Sequence, residues 1–385
     1  MEDFKETISF IKKLYPKDFI PLHEPLFVGN ERKYVLDAIE STFVSSVGEY
    51  VNRFEKMMAE VAGTKYAVAI VNGTAALHIA LILAEVQRED EVLTQALTFI
   101  ATANAISYIG AQSVFIDVDK ETLGMSPKRL SDFLEKFGEK RNDGFTYNKF
   151  SGKRIKACVP MHTFGFPCKI DELVYICEKW NITLVEDAAE SIGSYYKGKH
   201  TGSFGLMGTF SFNGNKTITC GGGGAVVTNN EAIAKRTKHL TTQAKVPHAW
   251  EFAHDQIGYN YRMPNLNAAM ACAQLEQLNT FVSKKREVAK AYEEHFKNNK
   301  NFRFVKETQD SRSNYWLNCV LLNNKTEQEA FLKATNNSGV MTRPVWKLMN
   351  KLPMFTNCQH EGLENSEFIE ERLVNIPSSV NVNKT

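Results

Sequence analysis

The chain has 385 residues, of which 43% are hydrophobic and 23% charged, a composition typical of a globular protein with more than one core. Its 46 basic and 44 acidic residues give a net charge of +2 without a long block of one sign, which argues against nucleic acid and membrane surfaces as partners. The seven cysteines form no Cys-x-x-Cys pair, and no apolar run has the form of a signal peptide or the length of a membrane span. These features predict a cytoplasmic protein with reduced thiols and no metal site.

Helices are predicted before the first strand. Residues 1–24 comprise a helix and then an extended segment, because Pro21 and Pro25 cannot lie inside a continuing helix. The stretches ERKYVLDAIEST and VNRFEKMMAEVAG carry apolar residues at helical spacing, and Gly63 is typical of a helix C-terminus.

From Lys65 onward, strands alternating with helices predict an α/β domain. The first strand, YAVAIV, is a continuous apolar run, typical of a strand that is buried on both faces of a parallel sheet. It leads through Asn72, Gly73 and Thr74 into the helix AALHIALILAEV. The unpaired N–H groups of such a helix start can bind a phosphate, although most Gly-Thr turns only cap a helix, so both interpretations stay open.

Further strands are predicted at EVLTQ, SVFIDVD, IKACVPMH and ITLVEDAAE, with helices at ATANAISYIG and KIDELVYICEKW and a surface insertion near residues 136–153. The strand ITLVEDAAE places Glu186, Asp187 and Glu190 at its carboxyl end, where open α/β sheets bind ligands. Asp187 could equally cap a helix, because aspartate is a favoured N-cap residue.

The segment GLMGTFSFNGNKTITCGGGG, residues 205–224, predicts a strand ending near Ser211 and a turn that presents Lys216. We expect positive φ angles in the turn at residues 213–215, and a backbone approach without room for a Cβ at residues 221–224. Three interpretations of Lys216 stay open: it is a simple surface lysine, a cation that binds a phosphate, or an amine that acts as a nucleophile. A Walker loop is excluded because Asn215 precedes the lysine, and the four glycines do not match a dinucleotide fingerprint.

The C-terminal half is predicted to begin with the strand AVVTN and the helix NEAIAKRTKHL. Residues 241–264, which include Asn260, predict a long loop, and a long helix then leads to a small α+β domain with strands near SNYWLNCVLL and RPVW. The predicted division is an N-terminal segment at 1–24, a large domain at 25–250 and a bridging helix with a small domain at 251–385.

Together these segments offer a helix start at Gly73 and Thr74, an aromatic ring at Phe99, and the functional groups of Asp187, Ser211 and Lys216. Pyridoxal 5′-phosphate requires that combination. Its phosphate binds N–H groups and hydroxyls, its ring stacks on an aromatic residue, its aldehyde reacts with a lysine, and its pyridine nitrogen pairs with a carboxylate.

The chain resembles, over nearly its whole length, the sugar aminotransferases of the DegT/DnrJ/EryC1/StrS family. The motifs are NGTAALH, ALTFIATANAI, VEDAAES, GTFSFNGNKTITCGGGGAVVT, GYNYRMPNLNAA and RPVWKLMNKLPMF. The resemblance implies fold type I of the pyridoxal phosphate-dependent transferases, similar to aspartate aminotransferase. In that fold a large domain with a mostly parallel mixed sheet is joined to a smaller C-terminal α+β domain.

The resemblance also implies the roles of individual residues. Lys216 would be the Schiff-base lysine and Asp187 the partner of the ring nitrogen. The remaining implied contacts are Phe99 stacked on the ring, Gly73, Thr74 and Ser211 at the phosphate, Glu190 near the 3-hydroxyl, and Asn260 reaching the phosphate of the neighbouring subunit in an obligate homodimer.

The implied reaction takes the amino group of L-glutamate, leaves 2-oxoglutarate and pyridoxamine 5′-phosphate, and aminates a ketosugar nucleotide, with Lys216 as anchor and as acid and base. GNERKYVLDAIESTFVSSVGEYVNRFE and RPVWKLM resemble the subgroup that aminates C4 of UDP-linked 4-keto-6-deoxy-N-acetylhexosamines on routes to bacillosamine or legionaminic acid. Asn213 and Asn350 stand where many relatives have histidine, and this difference is expected to affect recognition of the sugar rather than of the cofactor.

Alternative functions keep the fold and change the activity. The first is amination with a dTDP or GDP carrier, or at C3, and the second is a non-catalytic protein that binds pyridoxal phosphate or a nucleotide sugar. A dehydratase is disfavoured, because those relatives replace the lysine by histidine and this chain has Lys216.

Overall fold

The computed structural model describes residues 2–381, in which strands and helices alternate from residue 66 to residue 137. The helices are α1 Glu2–Leu14, α2 Glu31–Glu40, α3 Glu49–Ala62, α4 Gly73–Leu83, α5 Ile100–Tyr108, α6 Pro127–Phe137, α7 Ile170–Lys179, α8 Glu231–Thr241, α9 Asn265–Phe296, α10 Lys325–Asn337 and α11 Glu364–Glu370. The strands are β1 Tyr66–Ile70, β2 Glu91–Gln95, β3 Gln112–Ile116, β4 Gly138–Lys140, β5 Thr146–Asn148, β6 Ile155–Val159, β7 Thr183–Asp187, β8 Tyr195–Tyr196, β9 Lys199–His200, β10 Met207–Ser211, β11 Gly224–Thr228, β12 Arg303–Phe304, β13 Ser311–Arg312, β14 Asn318–Leu321, β15 Arg343–Pro344 and β16 Leu373–Ile376. Short 3₁₀ turns lie at Thr163–Gly165, Met349–Lys351 and Pro353–Phe355.

The main sheet has seven strands in the order β1-β11-β10-β7-β6-β2-β3. The five strands from β10 to β3 are parallel, whereas β11 runs antiparallel to both β10 and β1. This mixed, mostly parallel sheet with its packed helices confirms the predicted fold class.

The expectation that β1 lies within a parallel sheet is wrong. It is an edge strand whose one strand partner, β11, is antiparallel. Its apolar sequence has another cause, because α3 and α8 pack against β1 and cover it.

Helix α4 packs against the large sheet, and its first turn contains the predicted site residues Gly73 and Thr74. Of its eleven residues, nine are buried, which explains why its sequence GTAALHIALIL is apolar on nearly all sides. It contacts β10 and β11. Its N-terminus follows β1 directly and therefore lies at the same edge of the sheet as the carboxyl ends of β7 and β10.

A second, antiparallel sheet of order β12-β14-β16-β15 lies in the C-terminal part. Ile11 of α1, Tyr292 of α9 and Phe331 of α10 share one apolar cluster with its strands. The 32-residue helix α9 contacts α2 and α3 near the large sheet and β12 in this second layer. Within residues 2–381, no helix combines the length and the apolar character that crossing a bilayer requires.

Some local predictions differ from the structure. Helix α6 was not predicted, although Ser126 caps it and Pro127 opens it. The predicted surface insertion contains the hairpin of β4 and β5. Residues 213–215 have no positive φ angle, so that expectation is wrong. The expected lack of room for a Cβ holds at Gly223 and Gly224 but is wrong at Gly221, where nothing lies within 4 Å, and at Gly222. Gly221 instead has a φ of +80°.

Candidate active site

A cavity of about 320 Å³ lies at the carboxyl ends of β7 and β10. Among the residues that line it are seven of the eight predicted site residues, namely Gly73, Thr74, Phe99, Asp187, Glu190, Ser211 and Lys216. The eighth, Asn260, lies outside this lining. It is exposed and pairs with Thr242 in an isolated bridge within the long loop.

One end of the cavity is formed by the start of α4 and the end of β10. The Asn72 side chain caps the helix by accepting the Ala75 N–H at 2.8 Å, so the turn is a helix cap as well as a cavity wall. A Cβ on Gly73 would stand 2.7 Å from the Ser211 Cβ, and one on Gly224 would stand 2.5 Å from the Asn72 carbonyl oxygen. A Cβ would therefore clash with a side chain at Gly73 and with the backbone at Gly224.

The carboxylates of Glu186 and Asp187 leave β7 on opposite faces. Asp187 lines the cavity and accepts hydrogen bonds from the Thr102 hydroxyl at 2.8 Å and the Ala189 N–H at 3.2 Å. Burial raises the pKa of Asp187 above its usual range, against these hydrogen bonds and the charge of Lys216. A buried acid that faces a cavity and resists ionisation is suited to pairing with a cation supplied there.

Glu186 instead has a structural environment. It accepts a hydrogen bond from His162 at 3.0 Å and from the N–H groups of Gly202 at 2.7 Å, Phe204 at 2.6 Å and Gly205 at 2.8 Å. Burial alone would raise the pKa of Glu186, but these bonds hold it below its usual range. Neighbouring acids on one strand thus have opposite pKa shifts.

The amine of Lys216 lies beside Glu190. The distance from Nζ to Glu190 Oε1 is 3.2 Å, and Oε2 of the same carboxylate accepts the Phe164 N–H at 2.9 Å. Burial raises the pKa of Glu190 to about 7, against the ammonium group of Lys216. The Lys216 side chain is only 11% exposed, which excludes the simple surface lysine. The Glu190 carboxyl group can therefore accept or donate a proton near neutral pH beside this amine.

Aromatic side chains form another wall. Phe99 remains 45% exposed, and its ring lies 5.9 Å from that of Trp346, which in turn lies 5.0 Å from Phe164. Trp316 lies beneath Lys216, with its ring centre 4.0 Å from Nζ. Trp316, Trp346 and Thr102 were not predicted as parts of the site, because nothing local to them in sequence indicates the partners that they meet in the fold.

Known proteins share this architecture along almost the whole chain. The DegT/DnrJ/EryC1/StrS aminotransferase family matches residues 27–385. The chain belongs to this family. It is therefore a pyridoxal phosphate-dependent sugar aminotransferase, which confirms the enzyme class and the cofactor that the motifs implied.

Individual relatives agree with that assignment. GDP-perosamine synthase of Escherichia coli O157:H7 is 38% identical over 360 residues, covering 94% of this chain and 93% of the relative. GDP-perosamine synthase of Vibrio cholerae is 35% identical over 362 residues, covering 93% and 94%. The solved structure of Helicobacter pylori PseC, an aminotransferase involved in the biosynthesis of pseudoaminic acid, has a TM-score of 0.86 at 23% identity, covers 95% of both chains and shares the fold.

The cavity fits the cofactor. Within residues 2–381, the Thr74 and Ser211 hydroxyls make no hydrogen bond with the protein, so both are available to an anion at the start of α4. Lys216 provides an amine, and Asp187 provides a buried carboxylate in the same space. The hydroxyls at the helix start match the phosphate of the cofactor, the amine matches its aldehyde, and the carboxylate matches its pyridine nitrogen.

Proposed function

We propose that this enzyme transfers the amino group of L-glutamate to the C4 keto group of a nucleotide-linked 4-keto-6-deoxy sugar. The observation that carries the proposal is the single cavity in which Lys216, Asp187 and Glu190 converge beside the start of α4. When bound, pyridoxal phosphate supplies an electron sink for the negative charge that develops at the donor's Cα.

Each cavity residue has a proposed role toward the cofactor. Gly73, Thr74 and Ser211 would bind the phosphate, because the helix start offers N–H groups and the two side chains offer hydroxyls without a partner among residues 2–381. Phe99 would cover one face of the ring. Asp187 would hold a proton on the pyridine nitrogen, because a buried carboxylate favours a neighbouring cation.

The proposed proton carrier is the Nζ atom of Lys216. A primary amine that lies within the cavity can take the proton from the donor's Cα and return one to the accepting sugar. Glu190 lies 3.2 Å from that atom, and its pKa near 7 allows the carboxyl group to hold or release a proton at working pH. It would also stand near the 3-hydroxyl of the cofactor.

Two carrier nucleotides have specific support. The opening segment around residues 29–55 and the RPVWKLM segment resemble the subgroup that uses UDP-linked 2-acetamido-2,6-dideoxy-hexos-4-ulose. The relatives named GDP-perosamine synthase favour GDP. Asn213 and Asn350 would contribute to sugar selection, and Asn213 lines the cavity.

The test is a glutamate-dependent amination assay with UDP-, GDP- and dTDP-linked 4-keto-6-deoxy sugars and with one 3-keto sugar. Products are identified by mass spectrometry, and the position of the amine is read by nuclear magnetic resonance. The proposal expects a 4-amino sugar from the UDP or GDP substrate. Amination only at C3, or release of no 2-oxoglutarate with any substrate, would overturn it.

We also propose that the enzyme acts as a homodimer, with Asn260 completing the site of the partner. Lys216 is the one cationic residue lining the cavity among residues 2–381, so these residues offer a bound phosphate no further positive charge from its own chain. The loop that carries Asn260 also exposes Trp250, Phe252 and Ile257, each more than three-quarters exposed.

Co-expression of Lys216→Ala and Asn260→Asp chains tests this sharing. A shared site predicts about a quarter of wild-type activity in the mixture, because each mixed dimer contains one intact site. Light scattering measures the mass, which should be twice that of the 43.5 kDa chain. An active monomer, or a mixture as inactive as the Lys216→Ala parent, would contradict the proposal.

A further inference from the structure

Trp316 lies against the amine of Lys216, although the two residues are distant in sequence. The Nζ atom of Lys216 lies 4.0 Å from the centre of the indole ring and 3.2 Å from Glu190 Oε1. The indole Nε1–H donates a 2.6 Å hydrogen bond to the carbonyl of Asn215, the residue that precedes the lysine. One side chain therefore contacts both the amine and the turn that carries it.

Asn314 connects the two groups that flank the amine. Its Nδ2 donates to the Glu190 carbonyl at 2.9 Å, and its Oδ1 accepts the Trp316 N–H at 2.8 Å. Gly165 lies so close that a Cβ there would stand 1.9 Å from this oxygen, and its φ of +93° also requires glycine. The Trp316 carbonyl accepts a hydrogen bond at 3.2 Å from the buried amine of Lys285. The spacing between Glu190 and Trp316 is thus fixed by hydrogen bonds rather than by apolar contact alone.

We propose that Trp316 is a positioning residue, which holds the amine of Lys216 against its ring and toward Glu190 whenever the lysine is not attached to the cofactor. A cation above an aromatic face is stabilised by the ring quadrupole, and tryptophan gives the strongest such contact. The Nε1 hydrogen bond to Asn215 restricts the turn at the same time. The inference rests on the proposed function only in naming Lys216 as the reacting amine.

Loss of the ring should make the amine more reactive toward small electrophiles. Without the indole, the charged form of Lys216 loses its cation–π contact, and one side of the amine is uncovered. The expected increase in reaction rate is about 2- to 30-fold, the range that corresponds to a cation–π contact in a partly desolvated site. A ring that served only to fill space would leave this rate unchanged after replacement by a side chain of similar volume.

The experiment labels lysines in the holoenzyme carrying pyridoxamine 5′-phosphate, a form in which Lys216 is unattached. A brief exposure to isotope-labelled acetic anhydride is followed by peptide mass spectrometry, and labelling of Lys216 is divided by that of the exposed Lys128. We expect the ratio to rise in Trp316→Leu and in Trp316→Met, and to rise less than in either of them in Trp316→Phe, which retains a ring. The matched control is Trp346→Leu, because Trp346 lines the same cavity but packs on Phe99 and Phe164.

An unchanged ratio in Trp316→Leu and Trp316→Met would overturn the inference, and so would an equal rise in Trp346→Leu, which would indicate general opening of the cavity. If Trp316→Leu does not fold, Trp316→Met decides, because its flexible side chain better fills the space of the indole. A protein without transaminase activity whose Lys216 still responds to the loss of the ring would refute the proposed function and support this inference. An active enzyme whose Lys216 does not respond would do the reverse.

Discussion

Replacement of Asp187 by asparagine removes the charge of a buried group and keeps its shape. The amide oxygen can accept the Ala189 N–H, and the amide nitrogen can donate to the Thr102 hydroxyl, which also lies 2.8 Å from the Thr98 hydroxyl. Because burial already raises the pKa of Asp187, loss of the charge does not weaken the fold. We expect a free energy of unfolding within about 1 kcal/mol of wild type.

Activity should respond differently. An opposite charge beside an ionisable group shifts its pKa by about 1 to 3 units, and each unit corresponds to about 1.4 kcal/mol. Loss of this support for the cofactor's pyridine nitrogen should lower kcat/KM by about 10- to 1,000-fold. Steady-state kinetics per bound cofactor, together with denaturant unfolding, measure the two effects separately.

The adjacent acid provides a matched control. A glutamine at position 186 has one acceptor oxygen where Glu186 accepts one imidazole and three backbone hydrogen bonds, so Glu186→Gln should lose about 2 to 4 kcal/mol of stability. Its kcat/KM per folded molecule should fall less than that of Asp187→Asn. The reasoning is refuted if Asp187→Asn retains activity within threefold, or if it loses stability as Glu186→Gln does.

Further predictions concern packing and pH. Gly73→Ala places a Cβ 2.7 Å from Ser211 Cβ and should weaken cofactor binding by about 5- to 150-fold, as measured by fluorescence titration. In the control Gly214→Ala the Cβ points into open space, so the affinity for the cofactor should not change. Equal affinities in the two variants would contradict this prediction. Burial lowers the pKa of His200 to about 4, and its Nε2 accepts the Gly193 N–H. The stability that neutral His200 contributes, up to about 3 kcal/mol, is therefore complete above pH 6.5 and is lost as the pH falls through 4. We expect the free energy of unfolding, measured with denaturant, to fall less between pH 7 and pH 5 in His200→Gln than in wild type. An equal fall in the two proteins would refute this assignment.

Much of the large sheet could be predicted because its elements have strong local patterns. The apolar strands, the helix starts at Asn72 and Asn230, and the C-terminal glycine after α3 all appear in short windows of sequence. The direction of β11 could not be predicted in this way. It depends on the turn between residues 213 and 223, which returns the chain antiparallel between β1 and β10.

The residues of the site differ in the same way, because some have a local sequence signal and others do not. Lys216 and Asp187 could be proposed because each follows a recognisable strand and lies in a motif that resembles a known family. Thr102 and Trp316 could not, because they meet their partners across 85 and 101 residues of chain and carry no local signal. The domain boundaries at residues 24 and 250 stay a prediction.

The most direct test of the account is the identity of the lysine that binds the cofactor. Borohydride reduction of the purified holoenzyme, followed by digestion and peptide mass spectrometry, fixes the cofactor to its amine. The account predicts the added mass on the peptide containing Lys216, and its absence from a Lys216→Arg variant that still folds. Attachment to another lysine, such as the buried Lys285, or no attachment in an active enzyme, would contradict it.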